Sequence, residues 1–120
     1  MGRRILIAED ESRLAAFVAK GLKKHGYDVV IAEDGQQALE ISQQEAFGLI
    51  LLDLGLPVKD GWAVLIELRQ QETQVPVIIV TAMSDNGNKD RAIALGANDF
   101  MTKPFRFNVL LTKVRSYFEP

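Results

Sequence analysis

Five short apolar runs, each uninterrupted, alternate along this chain with segments of helical period. The runs are Ile5–Ala8, Val29–Ala32, Leu49–Leu52, Val77–Val80 and Phe100–Thr102. A strand wetted on one face alternates apolar and polar residues, so continuous runs predict strands buried on both faces. Between the first two runs, Leu14, Phe17, Val18, Gly21 and Leu22 form an i, i+3, i+4, i+7, i+8 stripe, and Gly26 supplies a helix stop. Asp34-Gly35 marks a turn before a second helix over Gln36–Ala46. The third helix is read over Gly61–Glu72, with Trp62, Leu65 and Leu68, and a short fourth over Lys89–Leu95, stopped by Gly96. Phe107, Leu110, Leu111, Val114 and Phe118 make the stripe of a fifth. Strict alternation predicts an α/β fold: one doubly wound, five-stranded parallel sheet with five helices covering both faces. Right-handed crossovers then bring every strand's carboxyl end to one edge, where sheets of this kind bind ligands.

A chain of 120 residues fits one domain, read here as residues 1–120. A net charge of -2 gives no reason to expect a nucleic-acid or membrane surface. With no cysteine, disulfides and thiolate metal sites are excluded. A lone histidine, His25, excludes histidine-rich metal sites and is read as a helix-end residue. The basic start, Met1-Gly2-Arg3-Arg4, precedes an apolar run too short for a signal peptide or a membrane span. The chain is therefore expected to be cytoplasmic.

The chemistry lies in the polar residues that terminate these runs. The first ends in Glu9-Asp10-Glu11, the third in Asp53, the fourth in Thr81 and the last in Lys103. Parallel strands bring these groups to one rim. Asp10 and Asp53 can offer oxygens to magnesium, a hard octahedral cation, with Glu9 bound directly or through water and a backbone carbonyl of Asp53-Leu54-Gly55 as a further ligand. Taken singly, Asp10 and Glu11 need mean no more than carboxylates favoured at a helix N-terminus, Asp53 a turn former, and Lys103 a solvated surface lysine. Together, clustered carboxylates repel one another and need a compensating cation. Lys103 supplies one positive charge, and Pro104 after it makes a cis peptide plausible. The Thr81 hydroxyl can donate to a phosphoryl oxygen, and the small Ala82 leaves room for one.

Four segments resemble the receiver domains of two-component response regulators, over essentially the whole chain. They are Ile5-Leu6-Ile7-Ala8-Glu9-Asp10-Glu11, Leu51 to Pro57 with Gly61, Val80-Thr81-Ala82, and Gly96 to Phe105. Each is weak alone, but their order and spacing are specific. The resemblance implies a flavodoxin-like sheet of strand order 2-1-3-4-5. It implies that Asp53 accepts a phosphoryl group from a sensor histidine kinase or histidine phosphotransfer protein. It further implies magnesium, with manganese as a substitute, at Asp10, Asp53, the Gly55 carbonyl and Glu9. Lys103 and Thr81 would then contact the phosphoryl oxygens, and Thr81 and Phe100 would form the switch that alters the surface of the fourth helix, fifth strand and fifth helix. The polar loop Ser84-Asp85-Asn86-Gly87-Asn88 would move with it. On this reading the domain is not an enzyme, catalysing only its own phosphorylation and dephosphorylation.

Gly55 and Met83, two residues after Asp53 and Thr81, stand where the family tunes hydrolysis, and neither orients water, so a long-lived phosphoryl group is expected. Gly55-Leu56-Pro57 and Lys103-Pro104-Phe105 look most like receivers that precede a winged-helix DNA-binding domain. Such an effector, and a phosphorylation-dependent homodimer using charges such as Asp99, Arg91, Lys113 and Arg115, are implied; direct nucleic-acid binding by this domain and membrane attachment are not. Three rival readings are weaker. An aspartyl-phosphate phosphatase of the haloacid-dehalogenase kind needs an acid where Gly55 stands, and usually a cap domain. A flavodoxin-like carrier needs a phosphate loop where Glu9-Asp10-Glu11 would repel phosphate. A degenerate receiver that only binds partners would not keep the full set of Asp10, Asp53, Thr81 and Lys103.

Overall fold

The structure is a computed structural model that describes residues 3–83 and 86–119. In chain order the elements are β1 (Arg4–Ala8), α1 (Ser12–Lys24), β2 (Asp28–Ala32), α2 (Gly35–Gln44), β3 (Leu49–Leu52), α3 (Gly61–Gln70), β4 (Val77–Thr81), α4 (Asn86–Ala94), β5 (Asp99–Thr102) and α5 (Phe107–Phe118). All strand pairs are parallel and the sheet order is β2-β1-β3-β4-β5, as the sequence reading expected.

Each apolar run divides between two cores because successive strand residues point to opposite faces. Leu6, Ile50, Leu52, Val77, Ile79 and Phe100 face α2, α3 and α4. Ile5, Ile7, Leu49, Leu51, Ile78, Val80 and Met101 face α1 and α5. The two central runs, β3 and β4, are buried throughout. Each fully buried leucine or isoleucine side chain stabilises the fold by about 1.5–3 kcal/mol relative to exposure. Two helices start with an aspartate whose side chain accepts from a backbone N–H: Asp34 from Gln37 at 2.8 Å and Asp60 from Ala63 at 2.9 Å.

Two expectations need correction. Phe17 was placed on the buried stripe of α1, yet it is 58% exposed. The inward face is built from Ala15, Val18, Ala19 and Leu22, and Phe17 lies at its margin, edge-on to Phe107 at 6.0 Å. The fourth helix starts at Asn86 rather than Lys89. Asn86, Gly87 and Asn88 occupy its first turn, where N–H groups have no intrahelical acceptor and weak helix formers cost least. Of the loop expected to move, Ser84 and Asp85 lie outside the described residues.

Two residues other than glycine have positive φ: Glu72 at +61° and Val58 at +68°. Glu72 ends α3, where such a conformation is common; its N–H donates to Arg69 O, and that of Thr73 to Leu68 O. Val58 is a different case. It lies between β3 and α3, it is branched at Cβ, and the left-handed region costs an L-residue about 1–2 kcal/mol.

Candidate phosphoacceptor pocket

Asp53 extends β3 past its last paired residue. Its N–H donates to Ala8 O at 3.1 Å, so the carboxylate emerges from the sheet beside the end of β1. There Glu9 continues β1, its N–H donating to Ala32 O at 3.0 Å. Lys103 continues β5, its N–H donating to Thr81 O at 2.9 Å, and the Lys103-Pro104 peptide is cis. Backbone pairing beyond three strand ends therefore fixes three chain segments at one point.

Their side chains converge. Lys103 Nζ lies 2.8 Å from Glu9 Oε1, 3.1 Å from Asp53 Oδ2 and 3.0 Å from Glu11 Oε2. Asp53 Oδ1 also accepts from the Gly55 N–H at 3.1 Å. Glu9 and Asp53 are buried, with only 5% and 7% of their surface exposed, so a half-buried ammonium holds two buried carboxylates. Burial pushes the Glu9 carboxyl above the usual glutamate range, against the opposing pull of Lys103. Burial acts to lower the Lys103 pKa, but hydrogen bonds to Glu9, Glu11 and Asp53 outweigh it and hold the ammonium firmly charged. Both partners shift upward for different reasons: desolvation governs the acid, and its three acceptors govern the base.

Glu9, Asp10 and Asp53 each offer a carboxylate oxygen, all within 4.8 Å of one another. Asp10 is exposed and the other two are buried. Hard oxygen donors gathered that closely, with one lysine among them, fit a small divalent cation with part of its shell left to water. Gly55 follows Asp53 by two residues, in the turn beyond β3. Thr81 is 1% exposed at the end of β4, and its hydroxyl oxygen accepts from the Met83 N–H at 3.2 Å. Register pairs Ile79 with Phe100 and Thr81 with Thr102, so Thr81 and Phe100 share the α4 side of adjacent strands. Phe100 is 9% exposed and packed into the core on that side.

Glu11 was missed as a pocket residue. Sequence reasoning set it on the rim with Glu9 and Asp10 but gave it no part in the pocket, with a helix N-terminus as its alternative place; its side chain makes no cap hydrogen bond and reaches Lys103. The run of three acids was the available signal. Of the charges considered for a dimer, Asp99 and Lys113 pair within the chain at 2.9 Å, and Arg91 stacks on Trp62 at 4.2 Å from the ring centroid.

Comparison with known proteins identifies the family. The family model described as response regulator receiver domain matches residues 5–115. The chain belongs to that family. It is 42% identical over 113 residues to the transcriptional activator protein IrlR of Burkholderia pseudomallei, spanning 94% of this chain and 49% of that protein. It is 40% identical over 105 residues to the alkaline phosphatase synthesis transcriptional regulatory protein PhoP of Bacillus subtilis, spanning 88% of this chain and 44% of that protein. The chain thus spans about half the length of the curated relatives it matches. Among solved structures, the Francisella response regulator 1452 receiver domain superposes with a TM-score of 0.93 at 31% identity, covering 97% of this chain and 96% of that one. The BeF3-activated N-terminal receiver domain of Klebsiella pneumoniae RstA gives 0.91 at 32% identity, covering 98% and 99%. This receiver domain of two-component signalling therefore has the sheet order that its sequence implied. Among the described residues, no helix is long and apolar enough to cross a membrane.

Proposed function

We propose that this receiver takes a phosphoryl group onto Asp53 from a phosphohistidine on a sensor kinase or phosphotransfer protein. The observation that carries the reading is the Lys103 ammonium lodged between Asp53 and Glu9, within 3.1 Å of both. An Asp53 oxygen attacks phosphorus in line, the phosphorus–nitrogen bond breaks, and the leaving imidazole departs with the bond's electron pair. Little covalent work is left to the protein beyond positioning and charge neutralisation. Gly55 N–H and Lys103 hold the two Asp53 oxygens. Lys103 then stays beside the new dianion. Magnesium bound at Glu9, Asp10 and Asp53, with the Gly55 carbonyl as a further ligand, would neutralise charge on the transferring group. The Thr81 hydroxyl oxygen already accepts from Met83, which leaves its hydrogen to donate to a phosphoryl oxygen.

Phosphorylation adds about -1.5 to -2 charges and three acceptor oxygens, which draw Thr81 toward them. Phe100, on the same side of the sheet, repacks into the space vacated, and the surface of α4, β5 and α5 changes. The output is an effector domain following this chain or a homodimer through that surface; the regulatory names and double length of the relatives support the first. The domain is a switch that catalyses only its own loading and unloading, and it works in the cytoplasm. A methionine rather than a water-orienting group stands by Gly55, with Met83 Cε 3.9 Å from where a Gly55 Cβ would lie, which supports a slow loss of the phosphoryl group.

The test is incubation with magnesium and acetyl phosphate, followed by intact-mass measurement. One phosphoryl group is expected on the wild type, and none on Asp53→Asn or after chelation. Labelling of Asp53→Asn to the wild-type extent overturns the assignment. Loss of label within seconds in magnesium buffer overturns the slow-hydrolysis part.

A further inference from the structure

Helices α2 and α3 each begin with an aspartate that caps them, whereas Glu11, at the same position of α1, makes no cap hydrogen bond. Short polar side chains lead at that position because they reach the N–H groups of the first turn. A missing cap weakens a helix more than an open ion pair strengthens a fold. Glu11 nevertheless turns to Lys103. Its Oε2 lies 3.0 Å from Nζ, and its side chain is 64% exposed. Helix stability does not explain that choice, so the reason for the pair lies at Lys103.

A lysine ammonium has three N–H donors and no acceptor. Those of Lys103 meet Glu9 at 2.8 Å, Asp53 at 3.1 Å and Glu11. Glu9 and Asp53 also belong, with Asp10, to the carboxylates close enough to share a metal ion, and Glu11 does not. With a divalent cation present, those two carboxylates are shared between two positive charges that repel each other. Among the described residues, Glu11 is the one carboxylate on Lys103 outside that group. Its backbone serves the pocket as well, the N–H donating to Glu9 Oε2 at 3.1 Å, but any residue except proline supplies that bond. A change of the Glu11 side chain therefore isolates its hold on Lys103.

We propose that Glu11 is a positioning residue for phosphoryl transfer: it keeps the Lys103 ammonium beside Asp53 when a divalent cation competes for Glu9 and Asp53. The inference rests on the phosphoacceptor reading of Asp53. Because α1 goes without a side-chain cap for the sake of this pair, stability and loading move in opposite directions when Glu11 is shortened.

The experiment compares wild type with Glu11→Asp and Glu11→Gln. Aspartate keeps the charge, ends one methylene short of Lys103 and is a preferred cap. Glutamine keeps the reach and an acceptor oxygen. In excess magnesium, each protein is loaded from acetyl phosphate and, separately, titrated by calorimetry with beryllofluoride, an analogue of the phosphoryl group. Glu11→Asp is expected to melt about 2–6 °C above wild type. It is nevertheless expected to load about two- to fivefold more slowly and to bind beryllofluoride more weakly by the same factor. Glu11→Gln is expected within about twofold of wild type in both. Wild-type loading and binding by Glu11→Asp overturn the inference. Slower loading joined to a lower melting temperature also overturns it, by making the role structural. So does an equal loss in Glu11→Gln, since reach and an acceptor oxygen would then not suffice. If acetyl phosphate does not load the wild type and beryllofluoride does not bind it, the phosphoacceptor reading itself fails.

Discussion

Helices α4 and α5 both flank β5, yet they are held to the sheet very differently. Helix α5 buries Leu110, Leu111 and Val114, and its stripe joins the core formed with α1. Among the described residues of α4, only Ala92 is buried, and Ile93 is 43% exposed. Polar contacts hold its carboxyl end. Arg69, from α3, donates to Gly96 O just past the end of α4 and to Thr73 O and Val75 O. Arg91 rests on the face of Trp62. A helix fixed by apolar burial opens only when the core opens, whereas one fixed by a few polar contacts can shift alone. The surface on either side of β5 is thus built from one rigid wall and one loosely pinned wall.

The largest contrast should appear when one large side chain is truncated on each wall. Leu110→Ala is expected to lower stability by about 2–5 kcal/mol, because it opens a void where nothing can collapse. Ile93→Ala is expected to stay within about 0.5 kcal/mol of wild type. Urea unfolding of the two variants measures the difference, and equal losses would break the comparison. Next in size is Arg69→Met, expected to cost about 1–3 kcal/mol by leaving carbonyls of three residues without their charged donor. Burial already lowers the Arg69 pKa, a sign that this guanidinium is partly withdrawn from water. Amide exchange in α4 should quicken in that variant while α5 is unaffected; parallel changes in both would refute the pinning role. Arg91→Ala should cost about 0.5–1 kcal/mol and change Trp62 fluorescence. The finest probe is amide exchange with and without acetyl phosphate and magnesium. Protection should change in α4 and remain constant in the last turns of α5, and Asp53→Asn should abolish the effect.

The candidate pocket at Asp53 follows another logic. Lys103 satisfies Glu9, Glu11 and Asp53 at once, so the charges of the pocket are preorganised. Rigidity at the Asp53 pocket and looseness at α4 suit the proposed function, in which the first takes the phosphoryl group and the second responds.

Much of this was legible in the residues alone. Continuous apolar runs can be buried only in a sheet covered on both faces, and parallel winding puts their ends together, so Glu9, Asp53, Thr81 and Lys103 could be placed on one rim from the order of residues. Strand bounds came within one residue, and each difference is a polar end residue, Arg4, Asp28, Thr81 or Asp99, that an apolar run does not mark. Helix margins were less legible. Phe17 satisfies the spacing of α1, but which side of a helix lies deepest depends on how closely the small Ala15 and Ala19 let it approach the sheet. Glu11 is one acid among three in sequence, and only the placed Lys103 ammonium shows where its carboxylate goes. The conformation of Val58 left no trace in composition or period, because it is imposed from outside by Gly35, Gly61 and the backbone they touch. Local pattern determined which groups reach the rim. The tertiary structure decided which of them share a proton donor, which helix is free to move and where strain is stored, since those depend on distances between segments far apart in the chain.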